Sequence, residues 1–135
     1  MRLQRLFFRS TTMVCALMSG GCHQTTAPPA TEADVAAAQE RARKEVEDAR
    51  VEARRDVRDA VKQTGGDAKH VEVAKATGSF DVAMAQADGD HKVAIAKCLM
   101  LDIALQQSCK QQADTQFHAA TDQAKALRVA NGGRG

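Results

Sequence analysis

The amino-acid sequence predicts an all-α protein in which a flexible N-terminal tether leads into a long charged amphipathic helix and then a helical hairpin. Three observations predict this. Alanine fills 26 of the 135 positions and, with Lys, Arg, Glu and Gln, supplies the strongest helix formers. Past residue 34 the apolar residues recur at helical spacing, many of them every 11 residues. The only prolines, Pro28 and Pro29, both stand ahead of the periodic part. Trp and Tyr are absent, and the aromatics beyond the N-terminal stretch are Phe80 and Phe117. Alanine buries little area, and burial stabilises by roughly 25 cal/mol per Å². Such a chain builds long helices more readily than a thick core or a deep pocket.

Residues 1–21 have the layout of a secretory signal peptide. Arg2, Arg5 and Arg9 form a basic start, Thr11 to Met18 is uncharged, and Ser19-Gly20-Gly21 places small residues before Cys22. The apolar stretch falls well short of the roughly 20 residues that a membrane-spanning helix needs. The run Leu17-Met18-Ser19-Gly20-Gly21-Cys22 resembles the loose form of a bacterial lipoprotein signal. That resemblance implies cleavage before Cys22 and acylation of its side chain, so that the chain meets the membrane through an N-terminal lipid anchor. It departs from the strict form at Ser19, where a Leu is usual, and Ser19-x-Gly21 equally fits ordinary signal cleavage and secretion. His23 follows Cys22 where an Asp would favour inner-membrane retention in enterobacteria; the implied location is the cell envelope, at the outer membrane facing the periplasm. Residues 22–31, with Thr25, Thr26, Pro28 and Pro29, read as lipidated cysteine and tether.

Residues 32–64 are predicted as one helix. Thr31 is an N-cap candidate, Glu32 and Asp34 place acid in the first turn, and Gly65-Gly66 ends the pattern. Val35, Val46 and Val57 stand 11 apart, as do Ala38, Ala49 and Ala60, and as do Ala42 and Ala53. Eleven residues complete three turns at about 3.67 per turn, so these eight positions form one nearly straight stripe. Around it, Glu40/Lys44, Arg43/Glu47 and Arg55/Asp59 offer i,i+4 charge pairs. The stripe is read as an interaction face with three readings open: a solvated helix, contact with a second copy or an envelope partner, or packing on the rest of the chain. Interleaved charges and a net charge of +2 give no reason to expect a nucleic-acid partner.

Residues 67–130 are predicted as the helical hairpin region, with residues 131–135 as a disordered tail. Ser79 is the expected N-cap of a helix starting near Phe80, and Gly89 is a cost of about 1 kcal/mol against Ala inside that helix. With Cys15 removed and Cys22 acylated, Cys98 and Cys109 remain in an oxidising compartment, where two cysteines pair. On one unbroken helix their 11-residue separation is roughly 16 Å, beyond the ~7 Å limit between bridged Cα atoms. Either the chain turns between them, with Asp102 as a candidate cap, or the bridges join different chains. The hairpin is the preferred reading.

Phe80-Asp81-Val82-Ala83, Asp90-His91-Lys92-Val93-Ala94, Lys97-Cys98, Cys109-Lys110 and Ala124-Lys125-Ala126 together resemble a motif of small exported Ala/Lys-rich helical proteins of proteobacteria. These are loosely labelled cell-envelope or TolA-like proteins. The resemblance covers roughly residues 70–126 and brings no established activity. Where its relatives carry a Gly-containing turn between the cysteines, this chain has Leu99-Met100-Leu101-Asp102-Ile103-Ala104-Leu105, the largest apolar cluster beyond residue 22.

The residues offer little for chemistry. His70, His91 and His118 with Cys98 and Cys109 suit zinc or copper by type, but no pair has ligand spacing. Asp88-Gly89-Asp90-His91 lacks the alternation and terminal Glu of a calcium loop. A His91/Cys98 nucleophile pair would lie two helical turns apart. No catalytic residue, metal site or cofactor is therefore assigned. The expected function is a non-enzymatic bacterial envelope lipoprotein acting as a structural or protein-interaction element. The alternative is a small periplasmic binding or stress protein that shields a metal, ligand or client.

Overall fold

The computed structural model describes residues 29–132. Three helices, α1 (Glu32–Thr64), α2 (Ala68–Cys98) and α3 (Ile103–Ala130), run up, down and up, with no strand among the described residues. The fold is the all-α arrangement of a long helix followed by a hairpin that the sequence predicts. The expected signal segment 1–21, Cys22, most of the expected tether and residues 133–135 lie outside the described residues.

Helix α1 is defined at both ends by side-chain and backbone capping. Thr31 Oγ1 accepts from the Asp34 amide at 3.3 Å, and an Asp34 carboxylate oxygen accepts from the Thr31 amide at 2.8 Å. This reciprocal pair satisfies two donors that the first turn would leave open. Gly65 closes the helix in the left-handed region, at φ 62°, donating to the Val61 carbonyl; a residue with a Cβ would be strained there. The exposed face carries short-range ion pairs in a different set from the i,i+4 pairs read from the sequence: Arg43 with Glu40, Lys44 with Asp48, and Arg55 with Glu52. Each is solvated, so each contributes little to stability.

Helix α2 starts earlier than the sequence reading places it. Asp67 caps it by accepting from the His70 amide at 3.0 Å, and Thr77-Gly78-Ser79 sits inside the helix; Ser79 is no cap. The reason is contact with α1. All eight stripe residues (Val35, Ala38, Ala42, Val46, Ala49, Ala53, Val57 and Ala60) are buried or half-buried, and elsewhere on α1 only Glu45, Asp59 and Thr64 are. Opposite them, α2 presents Gly78 against Ala53 and Gly89 against Ala42. Both pairs have the same 11-residue spacing, so one antiparallel register satisfies both. A Cβ added at Gly89 would lie 2.8 Å from the Ala42 Cβ, and one at Gly78 would lie 2.6 Å from that of Ala53. The helix backbones touch where no larger side chain fits. Close approach gives small side chains the contacts that an Ala-rich surface otherwise lacks.

Beyond this pairing, the 11-residue spacing recurs in two other rows. Ala76, Ala87 and Cys98 are buried on α2, and Ala113 and Ala124 on α3. Helix α2 packs on α1 and on α3, whereas α1 and α3 make no direct packing contact among the described residues. Neighbouring side chains of α2 reach the two outer helices. Lys92 pairs with Glu45 of α1 at 2.9 Å, and His91 with Asp114 of α3 at 2.7 Å. Residues 131 and 132, placed in the expected disordered tail, instead close α3: the Asn131 amide donates to the Leu127 carbonyl at 3.0 Å, and Gly132 to Val129 at 3.1 Å.

The glycine contacts predict a double-mutant result. Gly89→Ala gains about 1 kcal/mol of helix propensity but overpacks against Ala42, so it should destabilise by about 1–2 kcal/mol net. Adding Ala42→Gly should restore stability relative to Gly89→Ala alone, measured by denaturant unfolding followed by circular dichroism. Simple additivity of the two changes would contradict the close approach.

Candidate functional site

Of the site residues read from the sequence, the structure brings Cys98 and Cys109 together. They form a disulfide with Cα atoms 5.6 Å apart, and Cys98 is 1% exposed. The chain therefore turns between them, through Leu99-Met100-Leu101-Asp102, without glycine. Asp102 occupies the N-cap position of α3, but its side chain makes no capping hydrogen bond. The turn is closed from α3 instead: Gln106 Nε2 donates to the Leu101 carbonyl at 3.0 Å and to that of Leu99 at 3.4 Å. Ser108 and the Leu105 amide complete the first turn by bonding the Leu105 and Asp102 carbonyls.

The disulfide matters because α3 has so little else. Its buried residues are Ala113, Thr121 and Ala124, and Thr121 turns its hydroxyl back to the His118 carbonyl. Besides the His91–Asp114 pair, two ring contacts fasten it along its length. His91 lies against Phe117 with ring centroids 4.9 Å apart, and the Arg128 guanidinium lies 4.7 Å from the centre of the Phe80 ring. A cation over an aromatic face contributes about 0.5–1 kcal/mol at a partly exposed site. Closing a loop of this size by a disulfide removes entropy from the unfolded chain worth about 3 kcal/mol.

Among the described residues His70 stands apart at the start of α2, while His91 and His118 both flank Phe117 without sharing a ligand set. His70 Nδ1 lies 2.8 Å from its capping Asp67, His91 is on Asp114, and exposed His118 is beside Phe117. Since Cys98 is bonded to Cys109, it is no thiol nucleophile for His91. Among the described residues no group of three or more His, Cys, Asp and Glu side chains converges as a metal site.

Among the described residues, four groups have titrations displaced by their partners. The Thr31 amide and hydroxyl hold the Asp34 carboxyl below its ordinary 3.8. The His70 ring and amide do the same for Asp67. These caps stabilise the helix starts above the ordinary carboxylate value and lose that effect as pH falls through the lowered ones. Asp88 and then Glu45 raise Lys92 above 10.5, and Asp48 raises Lys44. Their contribution is complete below 10.5 and disappears as pH rises past the raised values. All four groups are exposed, so these effects tune helix ends and the α1–α2 surface.

Two surface features were not resolved by sequence reasoning. One is an open groove of about 650 Å³ between α1 and α2, with Val57, Gly78 and Val82 in its floor and Arg50, Arg54, Arg58 and Lys75 on its rim. Much of this charge is locally paired: Glu47 lies 3.7 Å from Arg50 and 3.2 Å from Arg54, and Glu72 lies 2.9 Å from Lys75. The other is the hairpin tip, where Met100, Leu101, Ile103 and Leu105 are exposed. The sequence signalled both, as the Arg row at four-residue spacing and as an apolar cluster in need of cover.

Comparison with known proteins finds no matching family model, no similar curated protein and no similar solved structure. The functional reading therefore rests on the chain itself.

Removing the disulfide should act on α3 first. Reduction, or Cys109→Ser, should speed amide hydrogen exchange in α3 by about 100-fold, the equivalent of ~3 kcal/mol, while the α1–α2 interface stays protected. Equal acceleration in all three helices would show that the staple supports the whole fold and not α3 in particular.

Proposed function

We propose that this chain is a non-enzymatic envelope lipoprotein whose helices serve as a structural or protein-interaction element, anchored to a membrane through Cys22. The observation that supports this reading most is the Cys98–Cys109 bond at the hairpin. Disulfides persist in oxidising compartments outside the cytosol, which is where a chain beginning with this basic, apolar and small-residue leader would be delivered. Among the described residues no helix is long and apolar enough to cross a membrane, so attachment in this reading falls to the acylated cysteine.

The geometry also favours an interaction role over shielding of a small ligand. The groove between α1 and α2 is open, and much of its basic rim is already paired with Glu47 and Glu72. The stripe of α1 is used within the chain, with Val46 only 7% exposed against α2. A partner would therefore meet the outward charged face of α1, where Arg43, Lys44 and Arg55 are exposed. At 1.5 Å per residue, α1 spans roughly 50 Å, which suits a spacer or scaffold.

Intact mass of the protein from non-reduced membrane fractions, repeated after reduction and alkylation, tests the reading. The expected result is a chain starting at Cys22 with added acyl mass and two cysteines alkylated only after reduction. An unacylated chain would remove the anchor, and cysteines alkylated without reduction would remove the compartment argument.

A further inference from the structure

Four exposed apolar residues cluster within six positions at the α2–α3 turn, whereas Val51, Val61, Leu127 and Val129 are exposed elsewhere on α1 and α3. Met100 and Leu101 in the α2–α3 turn, and Ile103 and Leu105 in the first turn of α3, all face solvent; Ile103 is 77% exposed. They crown the end of the hairpin instead of lining one side of it, because successive residues of a helix point about 100° apart. The opposite end of the α1–α2 pair is the polar turn Thr64-Gly65-Gly66-Asp67. That end also exposes Val61, Leu127 and Val129, but on two separate helices and without an apolar turn between them. What distinguishes the tip is its apolar turn and its place beside the start of α1.

The start of α1 lies at the apolar end. Pro29, Ala30 and Thr31 share one hollow with Leu99, Leu101 and Ile103. Cys22 is seven residues before Pro29, a stretch of chain that spans at most about 25 Å. A lipid on Cys22 thus holds this end of the bundle, and not the Gly65-Gly66 end, within reach of the membrane surface. The described chain begins where the exposed aliphatic side chains are.

We propose that the α2–α3 tip is a membrane-contacting element: Leu101, Ile103 and their neighbours sit in the interfacial layer of the bilayer that holds the Cys22 anchor, and the bundle stands end-on with its Gly65-Gly66 turn farthest from the lipid. This inference rests on the lipoprotein reading above. It assigns a role to the apolar cluster, which the fold leaves uncovered, and it explains why a turn without glycine carries large aliphatic residues. The tip fixes orientation, since an acyl anchor alone leaves the bundle free to lie at any angle. Asp102, between the apolar residues, caps no backbone group and stays at headgroup level.

The absence of Trp from the chain makes the test direct. The full-length gene product, purified from membranes, would carry one tryptophan: Leu101→Trp at the tip, Ile103→Trp beside it, or Val61→Trp near the far turn. Each would be reconstituted into phosphatidylethanolamine–phosphatidylglycerol vesicles with brominated acyl chains, with intact mass and helical content recorded on the same samples. Ile103 makes few contacts, so its replacement leaves the packing intact even if Leu101→Trp disturbs the turn. The expected result is strong quenching and a blue shift for both tip positions and neither for Val61→Trp. Acylated protein with an unquenched tip would overturn this proposal while leaving the anchor reading in place. Quenching at all three positions would overturn the end-on arrangement. Protein without acyl mass would overturn the anchor reading, and the proposal with it.

Discussion

The close approach of α1 and α2 at two glycine–alanine pairs is the constraint on which the rest of the structure depends. Gly78 and Gly89 leave no room for a side chain beside Ala53 and Ala42, so the helices meet at backbone distance. With this contact in place, the register of the whole pair is set, because both pairs repeat at 11 residues. An 11-residue repeat keeps the stripe almost parallel to the helix axis, so two such helices pack over their length with little supercoiling. Much of the buried surface is alanine, and its contribution per residue is small. Contact over many turns, together with high helix propensity, makes up for that.

Helix α2 is the shared element, and its sequence reflects two demands. One face offers Gly78 and Gly89 to α1; another offers Ala76, Ala87 and Cys98, which are buried at the same spacing. Helix α3 then docks on α2 alone, with small buried residues and a few fastenings along its length. The disulfide sits where such a helix is weakest, at the turn that brings it back. It joins the last residue of α2 to the second turn of α3, beside the Gln106 bonds that close the loop carbonyls. The apolar residues between the cysteines are then displayed at the end of the bundle, next to the start of α1.

Much of this fold was legible in the residues. The Val35, Val46 and Val57 spacing, Thr31 with Asp34, and Gly65-Gly66 mark a helix and its ends through local chemistry alone. The cysteine separation excluded an intrachain bond along one helix and so required either a turn or a second chain. Gly78 and Gly89 were harder to interpret. Read locally, they weaken a helix, and Thr77-Gly78-Ser79 looks like a break with Ser79 as a new start. Their value lies in contact with α1, which propensity does not describe. The 11-residue separation of the two glycines matches that of Ala42 and Ala53, and that match was the available signal. The hairpin turn was hard for a similar reason: it is closed by Gln106 from the next helix, not by a glycine or by the Asp102 side chain. For the functional reading, the Cys98–Cys109 pairing was legible from residue order and separation, and the proposed lipid anchor on Cys22 rests on residue order alone. Exposure at the tip depends on three-dimensional placement and was visible in the sequence only as an apolar run.

Nuclear Overhauser contacts in the mature, oxidised chain test the α1–α2 register most directly. Cross-peaks are expected from the Ala42 methyl to the Gly89 α-protons and from the Ala53 methyl to those of Gly78. Both should arise within one chain in a sample that mixes labelled and unlabelled protein. Their absence, or their appearance only between differently labelled chains, would contradict that register: the stripe of α1 would then be an open or intermolecular face, and the glycines would need another explanation.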